Sequence, residues 1–201
     1  MSFFSSVKDM EFILASGSAV RQKMLRNAGF DFEICSADID ERSIQKDLES
    51  QDCSVAQIAL ALGIEKARFV AAKFPDKYVI GSDQMLVFED HILNKSASLS
   101  QAKDKLLKLS GNTHHLISSA AIVKNDEVIW SHTDKADLVM RDLSERDIDD
   151  YLDKAGSDVL TSVGAYKLEE YGAWLFEKIE GDFFTILGFP LLPFLGFVKN
   201  S

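Results

Sequence analysis

The sequence predicts a mixed α/β fold, and three observations carry that prediction. Short apolar runs of strand length recur along the chain, bounded by Gly, Ser, Asn and Asp. Between them lie longer segments whose apolar residues recur three and four apart, the period of an amphipathic helix. No Ser/Gly-rich linker interrupts the series. The 201 residues therefore read as one domain, 1–201, built of two lobes packed together rather than two tethered domains.

The elements follow in order. Phe12–Ala15 is a short apolar strand, broken by Ser16-Gly17-Ser18. Val20, Met24, Leu25 and Ala28 share one helical face, and Gly29 supplies a stop. Phe30, Phe32 and Ile34 alternate with polar residues, as in a half-buried strand. Ser54 and Gln57 have capping-box spacing ahead of Ile58, Ala59, Leu62 and Phe69, which predicts a helix to Lys73, stopped by Pro75. Tyr78–Ile80 and Met85–Phe88 are apolar runs separated by the polar quartet Gly81-Ser82-Asp83-Gln84. A helix over Gln101–Leu109 ends at Gly111. Leu116–Val123 and Glu127–Trp130 flank Lys124-Asn125-Asp126, a hairpin turn. Ala136–Met140 is a further strand, and Ser144 opens a helix containing Ile148, Tyr151 and Leu152. The 173–179 segment reads as a strand apolar on both faces, Gly181-Asp182 turns the chain, and the apolar run Leu187–Phe197 closes the core.

Composition excludes several classes. Apolar residues at 46% and charged residues at 27% are globular values, not those of a disordered chain. No stretch approaches the ~18 uncharged apolar residues that span a bilayer. With 22 Lys+Arg against 32 Asp+Glu the net charge is −10, unsuited to nonspecific binding of long nucleic acid. Phosphate binding would need a few placed cations. The opening MSFFSSVKDM shows no signal peptide, and Cys35 and Cys53 read as reduced thiols of a cytoplasmic protein. His114 and His115 are adjacent, so on a strand they point to opposite faces and do not share a metal.

Chemistry-bearing residues interrupt the apolar runs. Ser16-Gly17-Ser18, the helix start behind it and Arg21 form a candidate phosphate cradle of hydroxyls, helix N–H groups and a guanidinium. The sequence is neither GxxxxGK[ST] nor GxGxxG. Asp83 is a carboxylate between two apolar runs and must find a partner. Lys66 and Lys95 are candidate point charges for phosphate. Asp38-Ile39-Asp40-Glu41, after a strand, offers oxygen ligands for a divalent metal. Each has an ordinary alternative: a helix cap, a solvated arginine or lysine, a turn aspartate, an acidic surface loop.

Taken in order these residues resemble the Maf family of nucleotide pyrophosphatases, related in fold to the inosine triphosphate pyrophosphatases, from about Phe12 to Phe197. The resemblance rests on Leu14-Ala15-Ser16-Gly17-Ser18 with Arg21 and Leu25, then Asp40-Glu41, Glu65-Lys66-Ala67, Gly81-Ser82-Asp83 and Lys95. It continues through Leu109-Ser110-Gly111-Asn112-Thr113-His114, Gly164-Ala165-Tyr166, Glu180-Gly181-Asp182 and Leu187-Gly188-Phe189-Pro190. It implies a two-lobed α/β fold, a long mixed sheet flanked by helices around a central nucleotide cleft. It also implies hydrolysis of a nucleoside triphosphate, a small-molecule substrate, to the monophosphate and pyrophosphate. Asp83 then matches the proton acceptor, Glu41 an acid serving metal or water, and Lys66 and Lys95 the cleft lysines. Ser16, Ser18 and Arg21 match the phosphate-binding motif. A divalent cation, Mg²⁺ or Mn²⁺, would sit on Glu41 and Asp83, and a homodimer is the family expectation.

Departures from the family pattern bear on the base. Val20, Gln84 and Glu169 stand where the branch acting on dTTP and UTP carries Arg, Thr and Gln. They resemble the branch acting on 7-methyl-GTP instead, although Val20 is not the Trp often seen there. Ser96 replaces the usual Pro after Lys95. The expected substrate is a guanine-type or modified triphosphate such as 7-methyl-GTP, cleared from the nucleotide pool. The alternatives are a dTTP/UTP pyrophosphatase and a non-catalytic nucleotide-binding regulator of cell division.

Overall fold

The structure, a computed structural model, describes residues 10–201. The opening segment read for a signal peptide lies, up to Asp9, outside the described residues. Seven strands hydrogen-bond in the order β2-β1-β3-β5-β6-β7, with β4 on β3, in a mixed sheet flanked by helices. Their ranges are β1 (Phe12–Leu14), β2 (Phe32–Ile34), β3 (Tyr78–Phe88), β4 (His91–Leu93), β5 (Thr113–Lys124), β6 (Glu127–Met140) and β7 (Phe176–Glu180). The chain divides into two compact units. Among the described residues no helix is long and apolar enough to cross a membrane.

The first unit comprises residues up to Gln84, Ser118–Asp134 and Gly188–Ser201. Its β1 pairs in parallel with β2 and with β3, Leu14 opposite Ile34 and Ile80. Between two neighbours and covered on both faces, β1 is buried at every residue, which is why it reads as an unbroken apolar run. Three helices follow: α1 (Ala19–Asn27), α2 (Glu41–Glu49) and α3 (Val55–Ala71). The expected capping box of Ser54 and Gln57 starts α3. Ile13, Ala15, Ala67, Val70, Val79 and Val123 pack as one core cluster. An aromatic cluster adds Phe30 and Phe189 against Phe194 of α7 (Leu191–Asn200), at centroid distances of 5.0 and 5.4 Å. The hairpin turn is where it was expected, with Asn125 and Asp126 both left-handed, at φ 51° and 66°.

The second unit comprises Met85–Ile117 and Lys135–Leu187. It contains β4, α4 (Leu99–Leu109), α5 (Glu145–Ala155), 3₁₀ turns at Gly156–Thr161 and Tyr171–Leu175, β7, and α6 (Phe183–Ile186). Leu86, Leu106, Leu109, Leu116, Leu138, Ile148 and Phe176 belong to one continuous core. Antiparallel β7 lies on β6, with Leu138 opposite Ile179.

Four local expectations are corrected. Tyr78–Phe88 is one strand, because the polar quartet has its hydrogen bonds met in place and stays in the sheet. Glu127–Met140 is likewise one strand instead of two. Asp38–Glu41 is not simply an acidic loop: Asp40 accepts from Ser43 N–H and caps α2, and Glu41 is the first residue of that helix. In the 173–179 segment, buried Gly172 and Leu175 are three apart, the 3₁₀ repeat, so the strand begins only at Phe176.

Candidate active site

Close backbone packing sets the site in the first unit. A Cβ on Gly81 of β3 would lie 2.0 Å from the Gly63 carbonyl oxygen of α3 and 2.8 Å from Ala67 N. Only glycine lets strand and helix approach that closely. The approach sets Lys66, one turn along α3 from Gly63, beside Asp83, two residues along β3 from Gly81.

Lys66 Nζ donates to Asp83 Oδ1 at 2.7 Å and pairs with Glu41 Oε2 at 2.9 Å. Lys66 and Asp83 are buried, whereas the Glu41 carboxylate is half exposed. Glu41 arrives from the first turn of α2. One ammonium thus gathers carboxylates from a strand and a second helix. Buried charges of this kind persist when paired and hydrogen-bonded, as these are.

Arg21 forms a second node. Its Nε donates to the Gly188 carbonyl at 2.7 Å, and its Nη1 donates to Ser82 O at 3.1 Å and Ser16 Oγ at 3.2 Å. The Ser82 hydroxyl also donates to Gly188 O, at 3.1 Å. Burial pulls the Arg21 guanidinium below its ordinary value, and Asp83 and Glu41 pull the other way. Arg21 therefore faces the same negative pair that Lys66 bridges, while three of its five donors organise the loop around it. Ser18 caps α1, accepting from Arg21 N–H at 3.4 Å, and Ser16 Oγ accepts from Ser18 N–H at 3.3 Å.

The remaining expected residues divide between the units. Val20 is half-buried on α1. Gln84, on β3, donates through Nε2 to Ser118 Oγ at 3.0 Å. A Cβ on Gly188 would lie 3.5 Å from both Gln84 Oε1 and the Arg21 guanidinium. Ser16, Ser18, Val20, Arg21, Glu41, Lys66, Asp83 and Gln84 are thus all in the first unit. Lys95 and Glu169 belong to the second. Lys95 is exposed between β4 and α4, and Glu169 is exposed on the turn after Gly164-Ala165-Tyr166.

Gly188 is the junction that residue-by-residue reading passed over. Its carbonyl accepts from Arg21 and Ser82, and its φ of +98° favours glycine. The available signal was a Gly before Phe-Pro in an apolar stretch. Ser118, which holds Gln84, gave no signal, being one serine in a strand.

Glu41 and Asp83 also fit a hard divalent cation. Both are oxygen donors within hydrogen-bond reach of one point, the Lys66 ammonium. Among the described residues no group of three or more His, Cys, Asp or Glu is placed to hold a metal. Mg²⁺ is commonly held by one or two carboxylates together with substrate phosphates and water.

The first unit thus combines a buried cation–carboxylate cluster with a capped helix start. The chain belongs to the Maf family, matching the Maf-like protein description over residues 11–201. It is 48% identical over 188 residues to the 7-methyl-GTP pyrophosphatase of Rhizobium meliloti (strain 1021), covering 94% of each chain. It is 46% identical over 189 residues to the nucleoside triphosphate pyrophosphatase of Bradyrhizobium diazoefficiens, covering 94% of this chain and 93% of that one. Among solved structures, a HAM1 protein from Coxiella burnetii matches with a TM-score of 0.40 and 16% identity, over 65% of this chain and 73% of that one.

Proposed function

We propose that the protein hydrolyses a nucleoside triphosphate between the α- and β-phosphates, releasing the monophosphate and pyrophosphate. The observation that carries this reading is the Lys66 bridge between buried Asp83 and half-exposed Glu41. It lies in a chain alike along 94% of its length to relatives named as pyrophosphatases. The same reading takes residues 1–201 as a single Maf-like domain, supported by a family match that spans both units.

In this mechanism Asp83 accepts the proton of the attacking water. The water oxygen forms the new bond to phosphorus, the anhydride P–O bond breaks, and pyrophosphate leaves with the electron pair. Lys66, donating to Asp83 Oδ1 at 2.7 Å, holds the carboxylate in place, so the acceptor oxygen is pre-aimed. Ser16, Ser18 and the start of α1 receive phosphate oxygens, Arg21 fixes their loop and adds positive charge, and Lys95 contributes a further cation. Glu41 and Asp83 would hold Mg²⁺ or Mn²⁺, which when bound offsets charge on the reacting phosphates.

Val20, Gln84 and Glu169 select the base in favour of a guanine-type triphosphate, 7-methyl-GTP included. A carboxylate accepts from the adjacent N1–H and exocyclic amine of guanine, whereas a pyrimidine dione sets carbonyls against it. The relative named for 7-methyl-GTP supports this choice.

The deciding experiment is pyrophosphate release across canonical and modified triphosphates, with Mg²⁺ and with excess EDTA. Asp83→Asn is expected to lower kcat by ~10²-fold or more while the circular dichroism spectrum is kept. Near-normal turnover by folded Asp83→Asn removes Asp83 from the chemistry, and full activity in EDTA removes the metal.

A further inference from the structure

Lys105 lies outside every motif the sequence singles out, yet its side chain joins two of the proposed site loops. It projects from α4 in the second unit, and its ammonium donates to the Asn94 carbonyl and, at 2.8 Å, to the Val163 carbonyl. Asn94 immediately precedes Lys95. Val163 immediately precedes Gly164-Ala165-Tyr166, the run that leads to Glu169.

Each loop is otherwise fastened from its own side. One turn earlier on α4, Gln101 Oε1 accepts from Ala97 N–H at 2.9 Å. Side chains four apart on one helix face thus hold Lys95-Ser96 from both flanks. In the other loop, Ala165 sits at φ 59°, a conformation unusual for a residue with a Cβ. Its carbonyl accepts from the Tyr151 hydroxyl at 3.4 Å, and the next side chain, Tyr166, meets His114 Nε2 at 2.6 Å. Lys105 reaches across from the first fastening to the second. Its charge is spent on two neutral carbonyls, and burial pulls its ammonium down to about 8. A lysine placed there for solubility would keep its head group in water.

We propose that Lys105 is a positioning residue for the pyrophosphatase reaction: it locks the loop bearing Lys95 to the loop bearing Glu169. A phosphate-contacting cation and a base-selecting carboxylate are thereby held at one spacing. The inference rests on the roles proposed above for Lys95 and Glu169. It names Lys105 as a determinant of base selectivity that touches no substrate.

The test compares the wild type with Lys105→Met, Lys105→Gln and Lys105→Arg in the full chain. Amide hydrogen exchange is read at residues 94–97 and 163–169, and kcat and KM are measured for 7-methyl-GTP and UTP. In Lys105→Met, exchange should rise in both loops together, while interior amides of β1 and β3 keep their protection. The kcat/KM ratio between the two nucleotides should fall about tenfold, within the ~10²-fold that a 1 Å misplacement of a positioned group can cost. Lys105→Arg, which can still reach two carbonyls, should restore most of the ratio. Lys105→Gln provides the comparison should Lys105→Met not fold. Exchange that is unchanged, or that rises in one loop only, overturns the clamp. A lowered melting temperature with the nucleotide ratio intact also overturns it, leaving Lys105 a purely structural residue. A wild type that cleaves triphosphates without base preference overturns Glu169 as selector, and the exchange comparison then judges the clamp by itself.

Discussion

The Lys66–Asp83–Glu41 cluster of the first unit and the His114–Tyr166 pair of the second are both buried polar groups, accommodated in opposite ways. The first keeps its charges: an ammonium is held between carboxylates from α2 and β3, one of them half exposed. The second contains no charge. His114 Nε2 meets the Tyr166 hydroxyl at 2.6 Å within rings of Tyr166 and Phe176, and among the described residues His114 Nδ1 has no hydrogen-bond partner. Burial, with His115 next in sequence, pulls His114 down to about 4, so it is neutral at physiological pH. Burial likewise pushes the Tyr166 hydroxyl up. Apolar residues of similar volume often stabilise a fold as well as a buried ion pair does. Stability alone therefore does not account for the first cluster, which agrees with the catalytic role proposed for it, whereas the neutral pair fits a role in holding the backbone near Ala165.

The largest way to break the contrast is to remove one charge. Lys66→Met leaves Asp83 buried without its cation and should cost about 3–5 kcal/mol of stability. The double variant Lys66→Met/Asp83→Leu, with neither charge of the Lys66–Asp83 pair left, should recover most of that loss in urea unfolding while remaining inactive. If the single variant is as stable as the wild type, water already solvates Asp83 and the cluster is not a desolvated pair.

The neutral pair breaks with pH. The folded value of His114 is about 4 against an ordinary 6.5. The unfolded chain therefore takes up a proton between those values that the folded chain refuses. Stability from this group is fully present above about pH 6.5 and is lost as pH falls towards 4. The loss amounts to about 3 kcal/mol over the window. Carboxylates titrate there too, so the informative quantity is the difference between wild type and His114→Gln. The wild-type curve should fall more steeply with acid. Parallel curves would mean that His114 is solvated on the protein's own fluctuations.

These two regions were unequally legible in sequence. The cluster's members were visible singly, because a carboxylate within an apolar stretch must be paired and a lysine follows the α3 capping box by a dozen residues. Their meeting was not, since it depends on Gly63 and Gly81 letting α3 touch β3, and nothing in local pattern joins residues so far apart. The polar quartet read as an interruption because strand rules price polar side chains without knowing their partners. Ser82, Asp83 and Gln84 each have one. Helix α2 was missed for a related reason: its apolar residues are few, none of its residues is buried, and its cap Asp40 looked like part of an acidic loop. Strand β1, the place of β2, the α3 cap and the β5–β6 turn were readable because each is set by residues adjacent in sequence; the half-buried alternation expected of β2 was not met, since Phe30 precedes the strand and Ile34 is exposed.

The smallest expected effect concerns Glu169, the one member of the proposed base-selecting set that lies in the second unit. Exposed on a turn, it contributes nothing comparable to the stability of either buried cluster, so Glu169→Gln should leave the melting temperature within error of wild type. Its effect should appear only in the ratio of kcat/KM for 7-methyl-GTP or GTP to that for dTTP or UTP. A polar group left unpaired in a closed site costs about 1–3 kcal/mol, a tenfold to hundredfold preference. Glutamine can donate to a pyrimidine carbonyl, so the variant should lose purine and gain pyrimidine activity, with the ratio moving by about tenfold. A wild type that prefers dTTP or UTP would refute the guanine reading. An unchanged ratio in Glu169→Gln would shift selection to Val20 and Gln84, both in the first unit, and would leave Asp83 and Lys66 as the chemical centre.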